Sequence, residues 1–134
     1  MGKEASTVGS QIENFGNSAL PPRVNFSCVA AIVTTAPNLY KVLFETKKEK
    51  LAQYGKRIFN LTGTDEAIAH QAITETIAFF HTMGMETKLS DYTKDYEKAA
   101  NFIVNRFEER GWKALGERQN ITLEKVREIV EQSY

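Results

Sequence analysis

His70 and His81 are the two imidazoles in a chain of 134 residues. They are its first candidates for proton transfer or metal ligation. Lying on one helix, they would stand about 16 Å apart at ~1.5 Å rise per residue, too far to share an ion. Surface or boundary positions suit both better. The single Cys28 excludes an intrachain disulfide framework and any cysteine-rich metal site. With no histidine near it in sequence, Cys28 reads as a buried or incidental thiol rather than a nucleophile. Asp91 and Asp95 are spaced for one helix face, but Lys94 and Lys98 interleave and helix capping accounts for the pair. Lys47, Lys48, Lys50, Lys56 and Arg57 form the most basic stretch and could meet a phosphate. Glu45 and Glu49 interrupt it and no aromatic platform accompanies it, so a solvated helix face explains it better. The glycine-rich turns that cradle a dinucleotide, Gly-x-Gly-x-x-Gly and Gly-Gly-Gly-Ser, are missing. Asn-x-Ser/Thr sequons begin at Asn25, Asn60 and Asn120 and carry little meaning without a secretory signal. The residues themselves therefore define no catalytic, cofactor-binding or metal site.

Those side chains would be positioned by helices. An N-terminal arm, residues 1–29, is rich in Gly, Ser and Asn, and Pro21-Pro22 forbids regular helix there. Val24, Phe26 and Cys28 alternate, as in a short edge strand or an extended arm. A helical domain, residues 30–134, follows. The apolar run AAIVTTAP ends at Pro37, which can open a new helix with Leu39, Val42 and Leu43 on one face. Thr46 can cap a further helix carrying Leu51, Tyr54 and Ile58, until Asn60–Thr64 breaks it. Thr64 or Asp65 can cap the next helix, whose stripe is Ala69, Ile73, Ile77 and Phe80, with Gly84 as its stop. After the loop Met85–Leu89, Ser90 and Asp91 can cap a helix over 94–110 built on Tyr96, Ala99, Ile103 and Phe107, with Ala100 and Phe102 beside that stripe. Gly111 ends it, and Trp112 and Leu115 seal the core edge. Thr122 caps a last helix with Leu123, Val126, Ile129 and Val130 inward. Short connections between such helices imply an all-α helical bundle.

Composition agrees: 42% hydrophobic and 25% charged residues are ordinary for a globular protein. The 17 basic and 17 acidic residues cancel, so no global field favours nucleic acid or an anionic membrane. No segment approaches the ~20 apolar residues that span a bilayer. The start, MGKEASTVGS, lacks the apolar core of a signal peptide and has only a serine in favour of myristoylation. The expectation is a cytoplasmic protein with neither nucleic acid nor membrane as partner.

One stretch carries more. MGMETKLSDY, following a helix that ends in FF, resembles the C-terminal helical domain of the iron-containing alcohol dehydrogenases, in particular their butanol dehydrogenase and NADPH-dependent aldehyde reductase branch. APNLYKVLFETKKEKLAQYGKRIFNLTG (36–63), FEERGWKALGE (107–117) and NITLEKVREIVEQSY (120–134) support the resemblance in order and spacing, over about residues 30–134. It implies a preceding dinucleotide-binding α/β domain and a cleft metal, iron or zinc, held by one aspartate and three histidines. That metal polarises the substrate oxygen while hydride passes to or from NAD(P). The last two family histidines belong just before the AAIV–PNLY stretch. Here SQIENFGNSALPPRVNFSCV contains none.

The expectation is accordingly a C-terminal piece of such an enzyme, inactive alone and supporting no cofactor of its own. Residues 1–29 would then reflect a truncated gene, a shifted frame or a rearranged N-terminus. The alternative is a helical protein-interaction or regulatory module, forming a homo-oligomer or binding a protein partner through an exposed helix face. A residual enzyme with a site shared between two chains would need His70 or His81 as ligands.

Overall fold

The computed structural model describes residues 28–134; Pro21-Pro22 and the Val24–Phe26 part of the alternating segment lie outside them. Its first helix, α1 (Cys28–Val42), opens at Cys28 and runs through Pro37 without ending. Pro37 therefore does not begin a new helix. An interior proline forfeits the bond to the carbonyl four residues back and costs about 3 kcal/mol, so surrounding packing must hold α1 together. That packing is nearly complete: Ala30, Ala31, Val33, Ala36 and Leu39 are buried, and so are Thr34, Thr35 and Asn38. The polar members turn their side chains onto the helix itself. Thr34 donates to the Ala30 carbonyl at 3.1 Å, Thr35 to that of Ala31 at 2.7 Å, and Asn38 to that of Thr34 at 3.0 Å. A helix buried on almost every side belongs at the centre of its domain.

The chain bends at Leu43 (φ −98°, ψ 19°) into α2 (Phe44–Phe59). Thr46 lies inside the first turn, its hydroxyl donating to the Leu43 carbonyl at 2.9 Å, so the helix starts earlier than expected and Thr46 is not its cap. Phe44, Lys47, Leu51, Ala52 and Gly55 form the buried face. Ile58 shares the side of Leu51 by spacing, yet is 61% exposed. Asn60, left-handed at φ 54°, closes the helix.

α3 (Asp65–Thr82) is capped by Thr64, whose hydroxyl accepts from the Ala67 amide at 3.3 Å. Gly84 follows at φ +75°, the left-handed stop that glycine permits. Its buried face is Ile68, Ala69, Ala72, Ile73 and Thr76; Ile77 and Phe80, expected in the stripe, are half-buried at one edge. α2 and α3 enclose a core of Phe44, Leu51, Ala52, Ile68, Ala69 and Ile73.

Single 3₁₀ turns at Leu89–Asp91 and Tyr96–Lys98 precede α4 (Ala99–Glu109), which is shorter than the helix expected over 94–110. Neither Ser90 nor Asp91 caps it, because both belong to a turn fixed by the fully buried Leu89, whose amide donates to the Ser133 carbonyl. The first turn of α4 is served from afar: the Tyr134 hydroxyl accepts from the Ala100 amide at 3.3 Å and donates to the Glu97 carbonyl at 3.1 Å.

After Gly111 (φ +70°) comes an element absent from the sequence reading. β1 (Ala114–Leu115) pairs antiparallel with β2 (Ile121–Thr122), Ala114 opposite Thr122 and Leu115 opposite Ile121. α5 (Leu123–Glu131) completes the fold. The main core gathers Leu39 of α1, Leu43 at the bend, Ile103 and Phe107 of α4, Ile121, and Val126, Ile129 and Val130 of α5. The architecture is all-α, five helices among the described residues with one minimal hairpin.

Thr122 caps α5, accepting from the Lys125 amide at 3.4 Å. Thr122→Ala is expected to cost about 1 kcal/mol, read as a lower urea midpoint with an unchanged slope.

Candidate functional site

The candidate residues occupy separate places. His70 is exposed and its ring stacks on Phe44, 4.0 Å between centroids and 15° between planes. His81, also exposed, pairs its Nε2 with the Thr87 hydroxyl at 3.2 Å. The two histidines thus serve different contacts, one between α2 and α3, the other between the end of α3 and the loop beyond it. Asp95 pairs with Lys98 at 2.8 Å, while Asp91 stays at the surface; the two carboxylates neither cap a helix nor share a site.

The basic stretch is largely matched by acids. Lys47 is the exception to the expected solvated face. Its side chain is 9% exposed, and its ammonium meets Glu117 at 3.1 Å, reaching from the loop between β1 and β2 to α2. Lys48 pairs with Glu45 at 3.4 Å and Lys56 with Asp65 at 2.6 Å. Trp112 closes the end of the main core, tilted against Phe107 at 5.5 Å with the Arg110 guanidinium 5.1 Å above its ring. That is a packing arrangement.

An open groove of about 520 Å³ runs between Glu108, Lys113, Thr122, Leu123 and Glu124. A second, of about 350 Å³, lies along Glu49, Ala52, Gln53, Lys56, Arg57 and Asp65. Each mixes acids with bases and offers neither a paired nucleophile and base nor a cluster of donors. Among the described residues no three His, Cys, Asp or Glu side chains gather to hold a metal ion. No described helix is long and apolar enough to cross a membrane.

Two phenols depart from their usual behaviour. Burial raises Tyr92 above 10.0, and its hydroxyl donates to the Glu86 carbonyl at 2.8 Å. Burial likewise raises Tyr134 above 10.0. In both cases folding favours the neutral phenol, so its contribution to stability is complete below pH 10 and is lost as pH rises through the folded value. The expected result is ionisation of both above pH 10 in the folded chain and near 10 after unfolding. Absorbance at 295 nm checks this, with Tyr92→Phe and Tyr134→Phe each removing one late step.

By its likeness in sequence and fold to an aldehyde reductase, the chain belongs to the iron-containing alcohol dehydrogenases and matches their C-terminal helical part. It is 38% identical over 96 residues to the NADPH-dependent aldehyde reductase YqhD of Escherichia coli (strain K12), a match covering 71% of this chain and 24% of the relative. Two solved structures of E. coli YqhD agree. The substrate- and cofactor-free form matches with a TM-score of 0.82 at 30% identity, over 97% of this chain and 32% of that one. The second matches with a TM-score of 0.83 at 30% identity, over 97% and 31%. No protein-family model matches the chain. The chain thus spans 24% to 32% of the length of the relatives it matches.

The described part holds no donor cluster, and the 27 residues before it contain no histidine and no glycine-rich turn. What sequence reasoning missed is structural: the buried Lys47 and its reach to Glu117, and the Tyr134 hydroxyl at the start of α4. Only long-range contact reveals either.

Proposed function

We propose that this chain is the helical wall of an NAD(P)-linked alcohol and aldehyde oxidoreductase of this family. It borders the substrate cleft and carries interdomain contact, and it works in the cytoplasm. By themselves these 134 residues reduce no aldehyde and bind neither metal nor nucleotide. The observation carrying this reading is the likeness to the C-terminal third of YqhD, joined to the lack, among the described residues, of three His, Cys, Asp or Glu side chains that could hold a metal.

The test is elemental analysis of the purified chain beside a fluorescence titration with NADPH and an aldehyde-reduction assay. The expected outcome is iron and zinc far below one atom per chain, no saturable NADPH signal and no turnover. Stoichiometric metal with saturable NADPH binding would overturn the reading. A second reading, a helical interaction module, draws on the exposed apolar side chains at the end of α3. It predicts a defined oligomer or complex that contains neither metal nor nucleotide.

A further inference from the structure

Along α3 and its C-cap, residues 68, 72, 76, 79 and 83 recur every three or four positions and so form one face. Its first three members are enclosed. Ile68 and Ala72 lie under Gly55 of α2, and Thr76 meets the Tyr54 hydroxyl at 2.9 Å. The last two, Phe79 and Met83, are 53% and 65% exposed. The buried stripe therefore continues past the end of its cover. The sequence there suits burial: from Ala67 to Met85 the single charged residue is Glu75, whereas α2 carries Glu45, Lys47, Lys48, Glu49, Lys50, Lys56 and Arg57.

We infer that Phe79 and Met83 are the seat for an apolar, uncharged helix face from the part of the enzyme that precedes this domain in its longer relatives. The inference rests on the function proposed above and adds the location of the contact. Three observations choose this occupant. The bare face is continuous with the packed α2–α3 interface. The matched relatives share this fold while about two thirds of their length lies outside the match. The area is also small: two half-exposed side chains offer on the order of 200 Å², against the ~800 Å² per partner of a standard interface. A face this small does not hold a second copy, but it suffices where chain connectivity brings the covering layer.

Met83 reports the contact directly, since a thioether open to solvent is oxidised by peroxide and a covered one is protected. The experiment compares Met83 oxidation, followed by peptide mass spectrometry, in the isolated chain and in a chimera where the whole chain replaces the C-terminal third of E. coli YqhD. At least tenfold slower oxidation in the chimera is the expected result. Phe79→Lys should leave the isolated chain's melting temperature within about 2 °C and lower that of the chimera. A folded chimera in which Met83 oxidises as fast as before, or whose melting temperature Phe79→Lys leaves unchanged, overturns the inference. So does protection of Met83 in the chain alone on raising its concentration, which would assign the face to a second copy. Failure here is separable from failure of the proposed function, because metal and NADPH binding by the isolated chain are read independently of Met83.

Discussion

Phe107→Ala is expected to remove about 3–5 kcal/mol of stability. Phe107 is fully buried on α4, in the cluster that joins α1, α4, α5 and β2, and its ring braces Trp112 at 5.5 Å. Truncation loses the transfer energy of a whole ring and leaves a cavity between elements that cannot all close on it. Against a total stability of ~5–15 kcal/mol for a domain, this single change leaves the fold marginal. Urea unfolding followed by circular dichroism at 222 nm measures it. Ile58→Ala is the control, expected within about 0.5 kcal/mol because Ile58 lies at the surface. A loss below about 2 kcal/mol for Phe107→Ala would mean that the main core is not packed as described.

The second large effect concerns Gly55, where two influences oppose. Alanine in a helix interior is favoured over glycine by about 1 kcal/mol. A Cβ at Gly55, however, would stand 2.7 Å from the Ile68 Cγ2 and 3.2 Å from both the Ala72 Cβ and the Ile68 carbonyl oxygen. Overpacking of a filled core costs about 1–3 kcal/mol. Gly55→Ala should therefore come out near neutral to mildly destabilising, and Gly55→Leu should lose about 2–3 kcal/mol, since leucine cannot stay clear of α3. Ile68→Leu moves the offending methyl branch away from Cβ. Combined with Gly55→Ala it should recover part of the loss, a coupling that a double-mutant cycle measures. If Gly55→Leu proves as stable as the parent, close approach of the two helices is not what glycine serves.

The parts of this fold that obey local rules can be read from the sequence. Thr64 and Thr122 cap because a hydroxyl beside a helix start finds free amides two or three residues on. Gly84 and Gly111 stop helices because a positive φ is open to them. Leu51, Ile73, Ile103, Phe107, Val126 and Ile129 point inward because the helical period puts them there. The misreadings come where a distant contact overrules the local rule. Pro37 should have broken α1, but burial on nearly every side holds that helix together. Ile58 keeps the right period and finds no cover. Ser90 and Asp91 are good capping residues placed in a turn that Leu89 and Ser133 fix. Strands of two residues are too short to show alternation, so β1 and β2 left no trace. Of the candidate site, helical rise alone separates His70 from His81, but nothing local pairs His70 with Phe44, or Lys47 with a carboxylate 70 positions away. The family could be recognised from MGMETKLSDY and its flanks because those residues carry local signals, the left-handed stop at Gly84 and the turn at Leu89–Asp91.

Tyr134 and Ser133 have a consequence in time. Ser133 receives the Asn38 amide at 3.1 Å and accepts from Leu89 through its carbonyl, and Tyr134 holds the first turn of α4. On a ribosome, where chains emerge from the N-terminus at ~5–20 residues per second, α2 and α3 can close on each other early from nearby contacts. α1, which carries Asn38, must wait for the C-terminal residues, with its apolar sides open for several seconds. The nascent chain thus stays open to proteases and to aggregation until residues 133 and 134 have emerged.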